Sequence, residues 1–93
     1  MTTSPDRTKD LELVQETLSR AIAGVLQLRG PDEVDIDASF ADLGLDSVGG
    51  IAVATQAAER LGMRVPPVLM FDFPTVRQLA HHLVLVRVHG GAD

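Results

Sequence analysis

The sequence predicts an all-α fold, a small bundle of three main helices plus one short helix. Three observations carry this expectation. Apolar residues recur at steps of three and four in three long segments. Gly and Pro clusters at Gly30-Pro31, Gly62, Pro66-Pro67 and Gly90-Gly91 separate those segments. No segment alternates with period two for long enough to make a strand, and even the β-branched run 83–88 continues the helical spacing.

The first helix is expected from about Asp6 to Arg29, where Leu11, Val14, Leu18, Ala21, Ile22, Val25 and Leu26 form one apolar stripe. Asp6 or Thr8 can cap its start, acids cluster in its first turns where the helix dipole favours them, and Gly30-Pro31 stops it. Residues 31–46 form a long connection; loops of more than ~12–15 residues are uncommon in compact domains and often mark function. Ile36, Phe40 and Leu43 are expected to pin it onto the core. The second main helix should start at Asp46-Ser47 and end near Leu61-Gly62, with Gly62 as a left-handed terminator. Gly49 and Gly50 each cost about 1 kcal/mol relative to alanine inside that helix, a cost that packing has to offset.

Val65-Pro66-Pro67 restarts the chain, and Val68–Asp72 has room for a helical turn or two. The last helix should open with Thr75 as N-cap and Gln78 completing a capping box, and should bury Val76, Leu79, Ala80, Leu83 and Val86. Phe40, Phe71 and Phe73 read as core anchors, the last two holding the short helix down.

Ninety-three residues make one domain, expected over residues 7–88 with flexible ends at 1–6 and 89–93. With 45% hydrophobic and 23% charged residues, the balance is that of a globular chain rather than a disordered one. The absence of cysteine excludes a disulfide framework, a thiolate metal site and a thiol nucleophile of the chain's own, and no metal site is expected. A net charge of −5 argues against nucleic-acid binding, which needs a basic surface. No apolar run approaches the ~18–20 residues of a membrane span, so no membrane partner is expected. The polar start, MTTSPDRTKD, lacks an apolar signal core, which points to the cytoplasm.

The negative charge is localised. Asp32, Glu33, Asp35, Asp37, Asp42, Asp46 and Glu59 occur between residues 31 and 59 without one Lys or Arg, while the flanking segments are neutral or slightly basic. A localised acidic surface can orient a basic partner. The second main helix also has one apolar face too many. Gly50, Val53, Ala54, Ala57 and Leu61 fall on one face, and Val48, Ile51, Ala52 and Thr55 on another. A bundle this small buries one stripe per helix, so the second is either sandwiched or a docking surface.

Ser47 stands at the start of that helix, and an Asp-Ser pair is by itself an ordinary N-cap. A serine hydrolase would need a base, yet His81, His82 and His89 all lie in the last segment and no Gly-X-Ser-X-Gly elbow occurs. His81 and His82 read as exposed decoration of the final helix.

The longer string is more specific. Residues 40–48 (FADLGLDSV), 61–66 (LGMRVP), 71–75 (FDFPT) and 79–83 (LAHHL) resemble the acyl carrier protein family, and look most like the carriers of modular polyketide synthases. The resemblance spans roughly residues 11–86. It implies that Ser47, with Asp46 as its motif neighbour, receives a 4′-phosphopantetheine arm from coenzyme A. The arm's thiol would then hold an acyl group as a thioester, and the chain would be no enzyme but a shuttle between enzymes. Implied partners are a phosphopantetheinyl transferase, an acyltransferase or an acyl or aminoacyl ligase, and a ketosynthase or other polyketide synthase domain, each served by a monomer. Docking would fall on Val48, Ile51 and Thr55, with Asp42, Asp46 and Glu59 meeting basic residues of the partner. The helix carries few acids for this family, so docking should lean on apolar contact and on the acids of the loop.

The chain begins at Met1 and ends after a short tail, which favours a discrete carrier of polyketide or related natural-product, including antibiotic, biosynthesis. A peptidyl or aminoacyl carrier of nonribosomal type shares the fold, but usually has Gly-Gly-His/Asp-Ser where this chain has Gly44-Leu45-Asp46-Ser47. A helical interaction module in which Ser47 is only an N-cap is the alternative from another class.

Overall fold

The computed structural model describes the backbone of residues 5–90 and the side chains of residues 9–87. Five α-helices follow one another: α1 (Pro5–Leu26), α2 (Phe40–Leu43), α3 (Ser47–Leu61), α4 (Leu69–Asp72) and α5 (Val76–Gly90), with a 3-10 turn at Pro31–Glu33. No strand occurs among the described residues; the single β-bridge joins Ser39 to Thr75. The three long helices are the expected ones, and both α3 and α5 pack along α1. Leu18 and Ile22 of α1, Val53 and Ala57 of α3, and Leu79 and Leu83 of α5 form a core closed to solvent.

Helix α1 is described from Pro5, so the backbone of Asp6 and Thr8, the expected caps, lies within it; their side chains lie outside the described residues. Proline suits a first helical turn because its missing N–H would have no partner there. The helix also ends before Gly30-Pro31. Gln27 adopts φ 61°, Leu28 N–H donates to Ala23 O at 2.8 Å, and Gln27 N–H donates to Gly24 O at 3.3 Å. That paired pattern is a Schellman terminator with glutamine in the left-handed position usually given to glycine. Helix α5 is described as far as Gly90, the first residue of the expected Gly90-Gly91 stop; residues 1–4 and 91–93 lie outside the described residues.

The connection 27–46 is held at several points. Val34 and Phe40 are buried, with Ile36 and Leu43 packed against the same core. Four of its residues form α2, an element additional to the expected four. Ser39 Oγ caps it by accepting the Asp42 amide at 3.0 Å, and Gly44 ends it at φ 101°. The connection is also stitched to the start of α5. Phe40 N–H donates to Pro74 O at 2.8 Å, and Arg77 N–H donates to Ile36 O at 3.0 Å. The Arg77 guanidinium donates to both Asp37 oxygens, at 2.5 and 3.1 Å. Hydrogen bonding by Arg77 holds the Asp37 carboxyl below its ordinary pKa.

Phe71 departs from its expected place in the core. A helix of four residues offers the core little more than one position, and Met70 occupies it. Phe71, roughly 100° further round, is 73% exposed. Phe73 does anchor α4: it packs against the core and stacks on His82, ring centroids 4.2 Å apart. His82 is therefore half-buried rather than surface decoration, whereas His81 is exposed.

In α5, Thr75 Oγ1 accepts the Gln78 amide at 3.1 Å as expected, but no bond from the Gln78 side chain back to Thr75 exists among the described residues. The buried stripe takes in Val84 and leaves Val86 exposed. Leu79/Ala80 and Leu83/Val84 continue each other at i+4, and Val86 stands roughly 200° from Val84.

Candidate functional site

The start of α3 is built by the residue before Ser47. Asp46 is extended, with φ −96° and ψ −174°, and its Oδ1 accepts the Gly49 amide at 2.7 Å. The first intrahelical bond runs from Gly50 N–H to Asp46 O at 2.8 Å. Asp46 is therefore the N-cap and Ser47 is the first helical residue. Its hydroxyl is exposed and has no hydrogen bond among the described residues. The Ser47 and Val48 amides, the first two of the helix, have no acceptor within it. Free donors at the positive end of the helix dipole favour a negatively charged group beside that hydroxyl.

Gly49 has a steric reason to be glycine. A β-carbon there would stand 3.0 Å from Leu45 Cδ2 and 3.3 Å from Val25 Cγ1. The first turn of α3 thus lies tight against the last turn of α1, and Gly49, not Gly50, belongs to the buried face. Val53, Ala54, Ala57 and Leu61 complete that face, and Gly62 closes the helix at φ 65°.

Ser47 lines a cleft of about 590 Å³ between α3 and α4. Its walls are mainly apolar and include Phe40, Leu45, Ile51, Met70 and Phe71, with Gly50 beside Ser47. Two of the large apolar lining residues stay exposed, Ile51 at 51% and Phe71 at 73%; Val48, next in the chain to Ser47, is 75% exposed, and Val68, just before α4, is exposed as well. The expected docking residues Asp42, Asp46, Val48, Ile51, Thr55 and Glu59 are all exposed. Thr55 spends its hydroxyl on its own helix, donating to Ile51 O at 2.9 Å.

Phe71 and Val68 are surface residues that the sequence pattern did not reveal, since four helical residues show no periodicity. Asp37, in contrast, belongs to the acidic stretch but is engaged by Arg77. His81 and His82 line a separate groove with Phe73, Leu11 and Leu85, which Ser47 does not reach. The serine and the two histidines whose side chains are described are thus not brought together. No cluster of metal-ligating side chains occurs among the described residues, and none of their helices is long and apolar enough to cross a membrane.

The family model described as the phosphopantetheine attachment site matches residues 16–83. The chain belongs to that carrier-protein family. Its prosthetic group is accordingly 4′-phosphopantetheine, covalently attached. The carrier is 38% identical over 90 residues to erythronolide synthase EryA2 of Saccharopolyspora erythraea, a match covering 97% of this chain and 2% of that protein. It is 35% identical over 91 residues to the PKS-NRPS hybrid synthetase acdB of Aspergillus candidus, covering 98% of this chain and 4% of that protein. The carrier thus spans a few per cent of the length of these relatives. It also superposes on a free-standing peptidyl carrier protein of Acinetobacter baumannii with a TM-score of 0.76 and 27% identity, covering 83% of this chain and 95% of that one.

Proposed function

We propose that the chain is a discrete acyl carrier protein of polyketide or related natural-product biosynthesis, with Ser47 as its attachment residue. The observation that carries this reading is the exposed, unbonded Ser47 hydroxyl in the first turn of α3, beside two free amides and at the mouth of an apolar cleft. Because Asp46 supplies the cap, the helix does not need the serine for its own stability, and its oxygen is available as a nucleophile.

The residues present fit the group. Ser47 Oγ would attack the pantetheine-side phosphorus of the coenzyme A pyrophosphate within the site of a phosphopantetheinyl transferase, forming the Oγ–P bond as the P–O bond to adenosine 3′,5′-bisphosphate breaks, with the serine proton passing to a base of the transferase. The Ser47 and Val48 amides would face the new negative charge. When bound, the group supplies a thiol that the chain lacks, holding an acyl unit as a thioester open to attack by a partner's nucleophile. The chain brings that unit to enzymes that do the chemistry, raising its effective concentration wherever α3 is docked. Val48, Ile51 and Thr55 would make the apolar contact, and Asp42, Asp46 and Glu59 would meet basic residues of an acyltransferase, a ligase or a ketosynthase. A cytoplasmic location accords with a coenzyme A-dependent modification.

Leu45-Asp46 before the serine supports acyl rather than aminoacyl cargo. The likeness to a free-standing peptidyl carrier supports a discrete chain, and also keeps the nonribosomal reading as the second one.

The test is the intact mass after incubation with coenzyme A and a promiscuous transferase. One added phosphopantetheinyl group is expected, absent in Ser47→Ala; an unmodified wild type overturns the assignment. Subsequent loading by acyl-transferring enzymes but not by aminoacyl-adenylating ones supports the acyl reading, and the reverse result supports the peptidyl one.

A further inference from the structure

Gly50 is a helical residue that nothing in the fold explains. It lies inside α3, where glycine disfavours the helix, and it is not among the glycines with positive φ. Its neighbour Gly49 is required by close packing, but a β-carbon at Gly50 would meet no atom within 4 Å. The space it leaves open is the wall of the cleft that Ser47 lines, one helical turn from the Ser47 side chain. On another wall stands Phe71, a large apolar side chain that the fold leaves 73% exposed.

We infer that Gly50 is a clearance residue: its missing side chain leaves a shelf on α3 for the proximal part of the arm carried by Ser47. This rests on Ser47 being the attachment residue. Residues three apart share a helix face, so whatever is bonded to Ser47 Oγ and turns along the helix passes over Gly50 first. The chemistry matches in order. The phosphate lies nearest Ser47, beside the free Ser47 and Val48 amides. A few bonds further stands a carbon bearing two methyl groups, bulky and apolar, which suits walls made by Ile51, Met70 and Phe71. The thioester lies at the far end of the arm, beyond the shelf, and stays free to enter a partner's active site. A side chain at position 50 would occupy the space the two methyl groups need. The shelf thus anchors the near half of the arm and leaves the far half mobile.

The test is nuclear magnetic resonance on the full chain before and after loading with the transferase and coenzyme A. In the wild type, loading is expected to shift the Gly50, Ile51 and Phe71 amides and to give nuclear Overhauser contacts from the arm's two methyl groups to Ile51 and Phe71. In loaded Gly50→Leu those contacts should disappear while the mass gain persists. Gly50→Ala, which only adds helix propensity in open space, should raise Tm by about 4–8 °C. Absence of methyl contacts in the loaded wild type, their survival in Gly50→Leu, or a lower Tm for Gly50→Ala each overturns the inference. A wild type that gains no mass overturns the Ser47 assignment itself, so the two failures are distinguishable. The wild-type contacts decide the matter even if the leucine variant is not loaded.

Discussion

Ile51 on α3 and Phe71 on α4 line the same cleft as Ser47, and each keeps more than half of its surface exposed, 51% and 73%. Fully burying a side chain of this size is worth about 1.5–3 kcal/mol, so the fold forgoes a substantial gain at both positions. Neither packs there for the sake of the chain's own core, which Val53, Ala57, Met70 and their neighbours complete.

A partner that covers this rim should therefore feel the loss of either residue. Ile51→Asp and Phe71→Asp are each expected to lower kcat/KM for loading by a cognate acyl-transferring partner five- to thirtyfold, the equivalent of about 1–2 kcal/mol at an interface anchor. Circular dichroism should remain that of the wild type. Asp42→Lys should slow loading less, with an effect that shrinks as salt is raised. Unchanged loading in all three variants would place the docking surface elsewhere.

Asp46 combines a cap with a charge, and two substitutions separate them. Asp46→Ala removes the acceptor of the Gly49 amide and should cost about 1 kcal/mol, lowering Tm by about 4–8 °C. Asp46→Asn keeps an acceptor and should hold Tm near the wild type while losing the charge. If Asn alone restores loading by the transferase, the carboxylate charge plays no part in recognition.

Gly49 and Gly50 are adjacent and should respond in opposite directions. Gly49→Val drives a branched side chain against Leu45, Asp46 and Val25, and a loss of about 1–3 kcal/mol is expected by chemical denaturation. An unchanged midpoint would mean that the α1–α3 contact is looser than the 3.0 Å approach to Leu45 implies.

The Asp37–Arg77 pair ties the connection to α5, and its pH response has a definite sign. The Arg77 hydrogen bonds depress the Asp37 pKa in the folded state. A carboxylate depressed on folding contributes stability above its unfolded pKa and loses it as pH falls through the folded one. The loss therefore lies on the acid side of the ordinary Asp range, and neutral pH should leave the pair intact. Direct titration of the Asp37 carboxyl by NMR should give a midpoint below the ordinary value, returning to it in Arg77→Gln. Both side chains are more than half exposed, so the contribution to global stability is small and weakens with salt.

Much of this was legible residue by residue. Long amphipathic segments announce themselves because fifteen or more residues sample several turns, so α1, α3 and α5 and most of their buried positions follow from periodicity. Gly62 as a left-handed terminator and Thr75 as a cap follow from local chemistry alone. Helix α2 carried a local signal too, a Ser39 cap and a Gly44 terminator around Phe40–Leu43, but it is too short for any period to show. The end of α1 was misplaced because glutamine took the conformation that glycine usually takes.

By itself the sequence determined three helices, a serine at the head of the second of them, a cysteine-free chain and an acidic stretch around that serine. Those properties belong to single residues or to spacing along one element. Only the tertiary structure decided which aromatic residues face inward, since Phe71 and Phe73 differ by what lies across from them and not by their own chemistry. It alone assigned Asp37 to Arg77, forty positions away, and removed it from the acids free to meet a partner. It also separated two identical glycines into one that packing requires and one that leaves a cleft open. The reason is common to all three: burial and pairing are set by neighbours brought close by folding, and a one-dimensional pattern carries no information about distances between elements.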